Sequence, residues 1–343
     1  MRHPQTGGHP VTAEAVMDAD SPLARGMTDM VDGATQRQPR IAVLLPCYNE
    51  EAAIAQTIAG FRAAIPNAAV YVYDNNSRDR TVEIARAAGA VVRSEFAQGK
   101  GHVVRRMFAD VDADVYIMAD GDLTYDPRSA PAMVDQLLSD QLDMVVGTRQ
   151  HEQEQAYRGG HVLGNRIFTD LLAGLFGRSF TDIFSGYRVF SRRFVKSFPV
   201  LSSGFEIETE MSVHALELRM PVGEQVTTYF ARPEGSASKL STFRDGWRIL
   251  RTIATLYRIE RPVLFFGGIG GLLLLAALLL AIPLLVTYFQ TGLVPRFPTA
   301  VLVTGMVIVA VLCFFAGLIL DTVTRGRREV RRLAYLAHSA PGA

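Results

Sequence analysis

The sequence predicts an α/β domain on a mostly parallel sheet, followed by two membrane-spanning helices. Three observations predict it. Short apolar runs alternate with helical segments between Ile41 and Gly147, the pattern of strand–helix–strand units. Polar clusters close four of those runs, where ligands of such sheets bind. Two long uncharged segments stand near the C-terminal end, each exceeding the ~20 residues a helix needs to cross a bilayer.

The elements follow in order. Ile41-Ala-Val-Leu-Leu45 is apolar without alternation and ends at Pro46, as a strand buried on both faces does. Glu51–Ala64 has helical composition and period. Val70–Tyr73 is a second strand and Thr81–Ala88 a second helix. Val91-Val92 starts a third strand, and Lys100–Asp110 is helical. Val115–Met118 is a fourth strand, Ala130–Leu138 a helix, and Asp143–Gly147 a fifth strand. The strand ends are Pro46-Cys-Tyr-Asn-Glu50, Asp74-Asn-Asn-Ser77, Asp120-Gly-Asp122 and Thr148-Arg149.

The apolar segments are Val263–Phe289 and Phe297–Leu320, joined by Gln290–Arg296. Arg244, Arg248, Arg251, Arg258 and Arg261 precede the first; Arg325, Arg327, Arg328, Arg331 and Arg332 follow the second. Positive flanks face the cytoplasm. Before the hairpin, Phe243, Trp247, Leu250, Ala254 and Tyr257 recur at helical spacing beside an arginine stripe. That is a basic amphipathic helix for an anionic bilayer surface. The predicted organisation is a disordered tail over 1–39, the α/β domain over 40–240 and the interfacial helix over 241–261. The membrane hairpin covers 262–321 and a basic cytoplasmic tail 322–343.

Composition excludes several classes. The net charge is +1, so no global signal for nucleic acid exists. Two distant cysteines, Cys47 and Cys313, make neither a disulfide framework nor a zinc site. The N-terminal segment has no apolar stretch of the secretory kind. Gly99-Lys100-Gly101 is not a phosphate-binding P-loop, because the remaining glycine and Ser/Thr spacing is absent.

Asp120 and Asp122 stand two apart where the fourth apolar run stops. Carboxylates so placed can reach one Mg²⁺ or Mn²⁺, which completes its shell with phosphate oxygens. His102, His151, His161 and His214 are scattered and read as structural or surface residues.

With these residues on the page, the chain resembles family 2 glycosyltransferases. Pro46-Cys-Tyr-Asn-Glu-Glu51, Asp74-Asn-Asn-Ser-Arg-Asp-Arg-Thr81, Gly99-Lys-Gly101, Asp120-Gly-Asp-Leu123, Val145-Val-Gly-Thr-Arg149, Ser185-Gly-Tyr-Arg188 and Ser238-Lys-Leu240 carry the resemblance. It is closest to the polyprenyl-phosphate branch, similar to dolichyl-phosphate mannose synthase and bacterial undecaprenyl-phosphate transferases. The resemblance implies a GT-A fold and transfer from a nucleotide sugar to a polyprenyl phosphate with inversion at the anomeric carbon. Pro46, Tyr48, Glu50, Asp74 and Asn76 would line the donor pocket, with Lys100 on the donor side. Asp120 and Asp122 would hold Mg²⁺ or Mn²⁺ on the diphosphate. Arg149 and Arg158 would receive the acceptor phosphate. Arg232, Ser238 and Lys239 would close over the donor in a mobile loop. Arg188 and one of Glu206, Glu208 and Glu210 are further candidates.

Three features depart from the family, one of them the long insert-like, Gly- and Ser-rich stretch Arg232-Pro-Glu-Gly-Ser-Ala-Ser-Lys239. Asn75 stands where an aspartate is usual, which blurs base preference. Thr124 stands where a glutamine often coordinates the metal, which leaves the third ligand open. The resemblance further implies a bacterial inner-membrane protein with a cytoplasmic catalytic domain, and a homo-oligomer is compatible with it. UDP-sugars are favoured as donors, and GDP-mannose remains open. A processive synthase would carry Gln-x-x-Arg-Trp, which Asp245-Gly-Trp-Arg248 is not. A non-catalytic membrane scaffold would not need intact Asp120, Asp122, Arg149 and Lys239.

Overall fold

The structure, a computed structural model, describes residues 38–151, 180–202, 204, 206–231, 255 and 257–342. Arg158, His161, Arg232, Ser238 and Lys239, nearly all of the expected tail over 1–39 and most of the expected interfacial helix over 241–261 lie outside them.

The strands are β1 (Ile41–Cys47), β2 (Ala69–Asp74), β3 (Val91–Ser94), β4 (Val115–Met118), β5 (Met144–His151), β6 (Arg188–Ser191) and β7 (Val222–Tyr229). They form one sheet in the order β3-β2-β1-β4-β6-β5-β7. β1 pairs in parallel with β2 and β4, β2 with β3, and β5 with β7; β6 runs antiparallel between β4 and β5. The expected mostly parallel sheet is thus present, with one reversed strand. The sequence signal for β6 is weak because its four residues begin with arginine and end with serine.

The helices are α1 (Ile54–Ala64), α2 (Thr81–Ala87), α3 (Lys100–Asp110), α4 (Ala130–Ser139), α5 (Arg192–Ser197), α6 (Ile207–Glu217), α7 (Pro262–Thr291) and α8 (Phe297–Leu336). α1 begins three residues later than expected, after a turn over Glu51–Ala53. The unbroken apolar run of β1 has a physical reason. Val43, Leu45 and Cys47 pack into a core with α1 and α4, while Ala42 and Leu44 pack into a second core with α3, α5 and α6. Both faces are covered, so neither face of the strand is polar. Full burial of a leucine such as Leu44 or Leu45 stabilises the fold by about 2 kcal/mol.

α7 and α8 are long and apolar enough to cross a membrane, and only 11% of the most apolar window of each is buried. A core helix of a soluble domain would be buried. Their packing is close: a Cβ on Gly270 would lie 2.9 Å from the Ala310 carbonyl oxygen, the small-residue contact that lets membrane helices approach. Within the basic tail expected over 322–343, α8 continues without a break to Leu336.

Candidate active site

β1, β2 and β4 run parallel, so their carboxyl ends share one edge of the sheet. The loop after β1 carries Tyr48 and Glu50, following the buried Pro46. The loop after β2 carries Asn76, and Asp74 ends the strand itself. The two loops are stitched together. The Asn49 amide donates to Ser77 Oγ, the Glu50 amide to Thr81 Oγ1, and the Arg78 amide to Asn49 Oδ1, each at 2.8 Å. Asp74 accepts from the Ser77 amide. Asn49 and Asn76 take left-handed backbone conformations, which asparagine tolerates.

Asn75 has a structural explanation. Its Nδ2 donates to the carbonyls of Glu95 and Ala97 at 2.9 and 2.8 Å, and its Oδ1 accepts from the Gly99 amide at 2.7 Å. An aspartate could not donate. The amide therefore fastens the loop that leads into α3 and Lys100. Asn76 Nδ2 donates to the Phe96 carbonyl and to Gln98 Oε1 of the same loop.

The Asp120-Gly-Asp122 turn is shaped by close approach. A Cβ on Gly121 would fall 2.5 Å from Cys47 Sγ, so only glycine fits over the end of β1. Leu123 has φ +60°, a strain of roughly 1–3 kcal/mol in a β-carbon-bearing residue. Asp122 is buried and accepts from the amide and hydroxyl of Thr124 at 3.2 and 2.6 Å. Thr124 thus orients an aspartate, a supporting role that sequence reading missed when it weighed this residue as a ligand.

Asp120 meets Lys100 at 2.5 Å, and the same ammonium meets Glu208 at 2.6 Å. Burial alone would lower the Lys100 pKa; the charges of Asp120 and Glu208 outweigh it and raise it. Glu208 is therefore the member of the acidic trio that joins the site. Glu210 accepts from the Leu201 and Ser202 amides instead. Gly186 gives Asp120 room: a Cβ there would lie 2.9 Å from Asp120 Oδ2. The Gly186 amide is held by Tyr125 Oη at 2.8 Å. Burial pushes the Cys47 thiol well up, and the charges of Glu50, Asp74, Asp120 and Asp122 push it further.

These residues fit a divalent cation. The side chains are all-oxygen donors suited to Mg²⁺ or Mn²⁺, and an ammonium already bridges Asp120 and Glu208. Among the described residues no three acidic, histidine or cysteine side chains are grouped so that they could hold a metal ion, so the protein would supply few of the ligands and phosphate oxygens the rest.

Arg149 lies within β5. Its guanidinium binds Asp182 through Nε at 2.7 Å and Nη2 at 2.8 Å, and stacks over Tyr229 at 5.5 Å. Burial opposes its charge, but Asp182 and the neighbouring tyrosines raise its pKa. Asp182 was not singled out from sequence; its signal is the need of a half-buried arginine for a carboxylate. Arg188 is structural. It is fully buried and donates to the Ser185 and Ile183 carbonyls and to Ser212 Oγ; burial pushes its pKa down to about 10. His214 is buried against Phe194 and Phe198 and within 3.1 Å of Ser197 Oγ. His102 contacts Arg105 on the surface.

A mostly parallel sheet with one reversed strand and an Asp-x-Asp turn after β4 defines a GT-A glycosyltransferase domain. Residues 42–198 match the model of glycosyl transferase family 2, and the chain belongs to that family. It is 36% identical over 232 residues to the glycosyltransferase AglJ of Haloferax volcanii, covering 67% of this chain and 76% of that one. It is 28% identical over 221 residues to a dolichyl-phosphate hexose transferase of the same organism, covering 64% and 95%. The fold is similar to that of glucosyl-3-phosphoglycerate synthase from Mycobacterium tuberculosis, solved with Mn²⁺, UDP-glucose and phosphoglyceric acid. That likeness has a TM-score of 0.51 and 25% identity over 65% of this chain and 80% of that one.

Proposed function

We propose that this glycosyltransferase moves a sugar from a nucleotide sugar to a polyprenyl phosphate in a membrane, with inversion at the anomeric carbon. The observation that carries the proposal is one arrangement. Asp120, Asp122, Lys100 and Glu208 gather at the carboxyl edge of the sheet, in a chain that continues into two membrane-length apolar helices. The likeness to a dolichyl-phosphate hexose transferase supports a lipid-phosphate acceptor. The neighbour solved with UDP-glucose and Mn²⁺ supports a UDP-sugar donor and a divalent metal. The catalytic domain would then be cytoplasmic, at the inner membrane of a bacterium, because the arginine flanks of both helices favour that side.

Asp120 and Asp122 would hold Mg²⁺ or Mn²⁺, and the chemistry supplied there is neutralisation of charge on the leaving diphosphate. Lys100 adds a cation beside them. Pro46, Tyr48, Glu50, Asp74 and Asn76 would line the nucleoside side. Thr124 keeps Asp122 aimed. Arg149 would bind the acceptor phosphate through donors outside the Asp182 pair, with Arg158 as its expected companion; Arg232, Ser238 and Lys239 would cover the donor. The acceptor phosphate is ionised near neutral pH, so positioning two anions side by side is the main task. The test is a panel of labelled nucleotide sugars with undecaprenyl phosphate and Mg²⁺, scored for label entering organic solvent. One UDP-sugar should label the lipid, and Asp122→Asn should lower the rate by at least about 100-fold. Failure of every sugar would refute the proposal.

A further inference from the structure

Beyond Leu320 the charged turns of α8 lie against the soluble domain. Arg328 donates to Glu217 at 3.1 Å and to Glu260 at 2.6 Å. Arg331 pairs with the other oxygen of Glu217. The side chains of Glu217 and Glu260 are 2% and 5% exposed, so water cannot replace these partners. One turn further on, Tyr335 donates to Asp143 at 2.8 Å, and the Arg193 guanidinium stacks on its ring at 4.7 Å. Asp143 has no exposed side-chain surface and is shared by Ser191 and Arg193. Removing one partner of such a pair leaves the other charge buried and unpaired, which is strongly destabilising.

Two of the three carboxylates, Glu217 and Asp143, stand on or beside elements that reach the site, while Glu260 stands two residues before α7. Glu217 ends α6, whose first turn carries Glu208. Asp143 directly precedes β5, which carries Arg149. Glu217 and Asp143 are thus each at one end of a rigid element, and a site residue lies toward the other. At about 1.5 Å per residue, Arg328 and Tyr335 lie about 12 and 22 Å along the helix from Leu320. An unbroken helix fixes both distances from the apolar stretch.

We propose that Arg328, Arg331 and Tyr335 are positioning residues that latch the catalytic domain to the extension of α8 and so hold its site at a set height over the bilayer. The inference rests on the lipid-acceptor reading above. The latch acts on delivery of the membrane-bound phosphate, and donor binding is independent of it. Insertion of Gly-Ser-Gly-Ser between Leu320 and Asp321 leaves every latch contact possible but breaks the rigid link to the membrane. In the full-length protein in lipid vesicles, this insertion should raise KM for undecaprenyl phosphate about 10-fold or more. KM for the nucleotide sugar, and turnover with a short water-soluble prenyl phosphate, should stay within about two-fold. The variant Arg328→Gln with Arg331→Gln should give the same split, and Arg328→Lys with Arg331→Lys should largely restore the lipid KM. An unchanged lipid KM in both the insertion and the glutamine variant overturns the latch, as does equal loss with both acceptors. Absence of lipid transfer by the wild-type protein overturns the acceptor reading itself and the latch with it.

Discussion

Asn75 is bonded through every polar atom of its side chain, twice as donor and once as acceptor. Asn75→Asp should leave two carbonyls without their donor and cost about 1–3 kcal/mol, read as a lower midpoint in chemical unfolding. Gly186 makes a sharper test of the site. Gly186→Ala puts a methyl group against Asp120, and a displacement of that size should cut transfer about 100-fold with little change in melting temperature. His214 sets a pH dependence. Burial, with some help from the Arg331 charge, pushes its pKa down to about 3, while an unfolded histidine takes its proton near ~6.5. The unfolded chain binds more protons between those values, so stability falls as pH drops, by about 1.4 kcal/mol per pH unit for this group. His214→Gln should flatten the loss of melting temperature from pH 6.5 to 4.5; an equally steep loss would remove His214 as its cause. Asp120, Asp122 and Lys100 could be read from sequence because strand-end motifs are local. Glu208 and Asp182 could not be assigned that way, because only the fold brings them to Lys100 and Arg149.

At the scale of elements, β1, β2 and β4 were legible because strands covered on both faces have no polar alternation to blur them. β6 was not, since its pattern depends on a buried arginine held by the Ser185 and Ile183 carbonyls just before it and by Ser212 of α6. The last turns of α8 read as a tail because a run of five arginines looks solvated; the acidic partners of two of them, Glu217 and Glu260 for Arg328 and Arg331, are distant in sequence. That pairing predicts a charge-swap result. Glu217→Arg and Arg331→Glu should each lower stability by about 3–5 kcal/mol, and the double variant should recover a clear part of the loss. Additive losses in the double variant would show that the two side chains do not act as a pair.

For the whole molecule, the catalytic edge and the apolar hairpin belong to one reading: a phosphate that stays in the bilayer comes to an enzyme that stays there too. The net charge of +1 gives no long-range pull on a soluble anion, so under the proposed function delivery would rest on anchoring and local arginines. Glucosyl-3-phosphoglycerate synthase shares the fold and is named for a product of a soluble phosphate, which supplies the natural competitor. The most direct measurement offers the purified protein undecaprenyl phosphate in vesicles and 3-phosphoglycerate in solution, with Mg²⁺ and a labelled UDP-sugar. The account predicts that label enters the organic phase and that Asp122→Asn abolishes this transfer. Label appearing only on the water-soluble phosphoglycerate would contradict it.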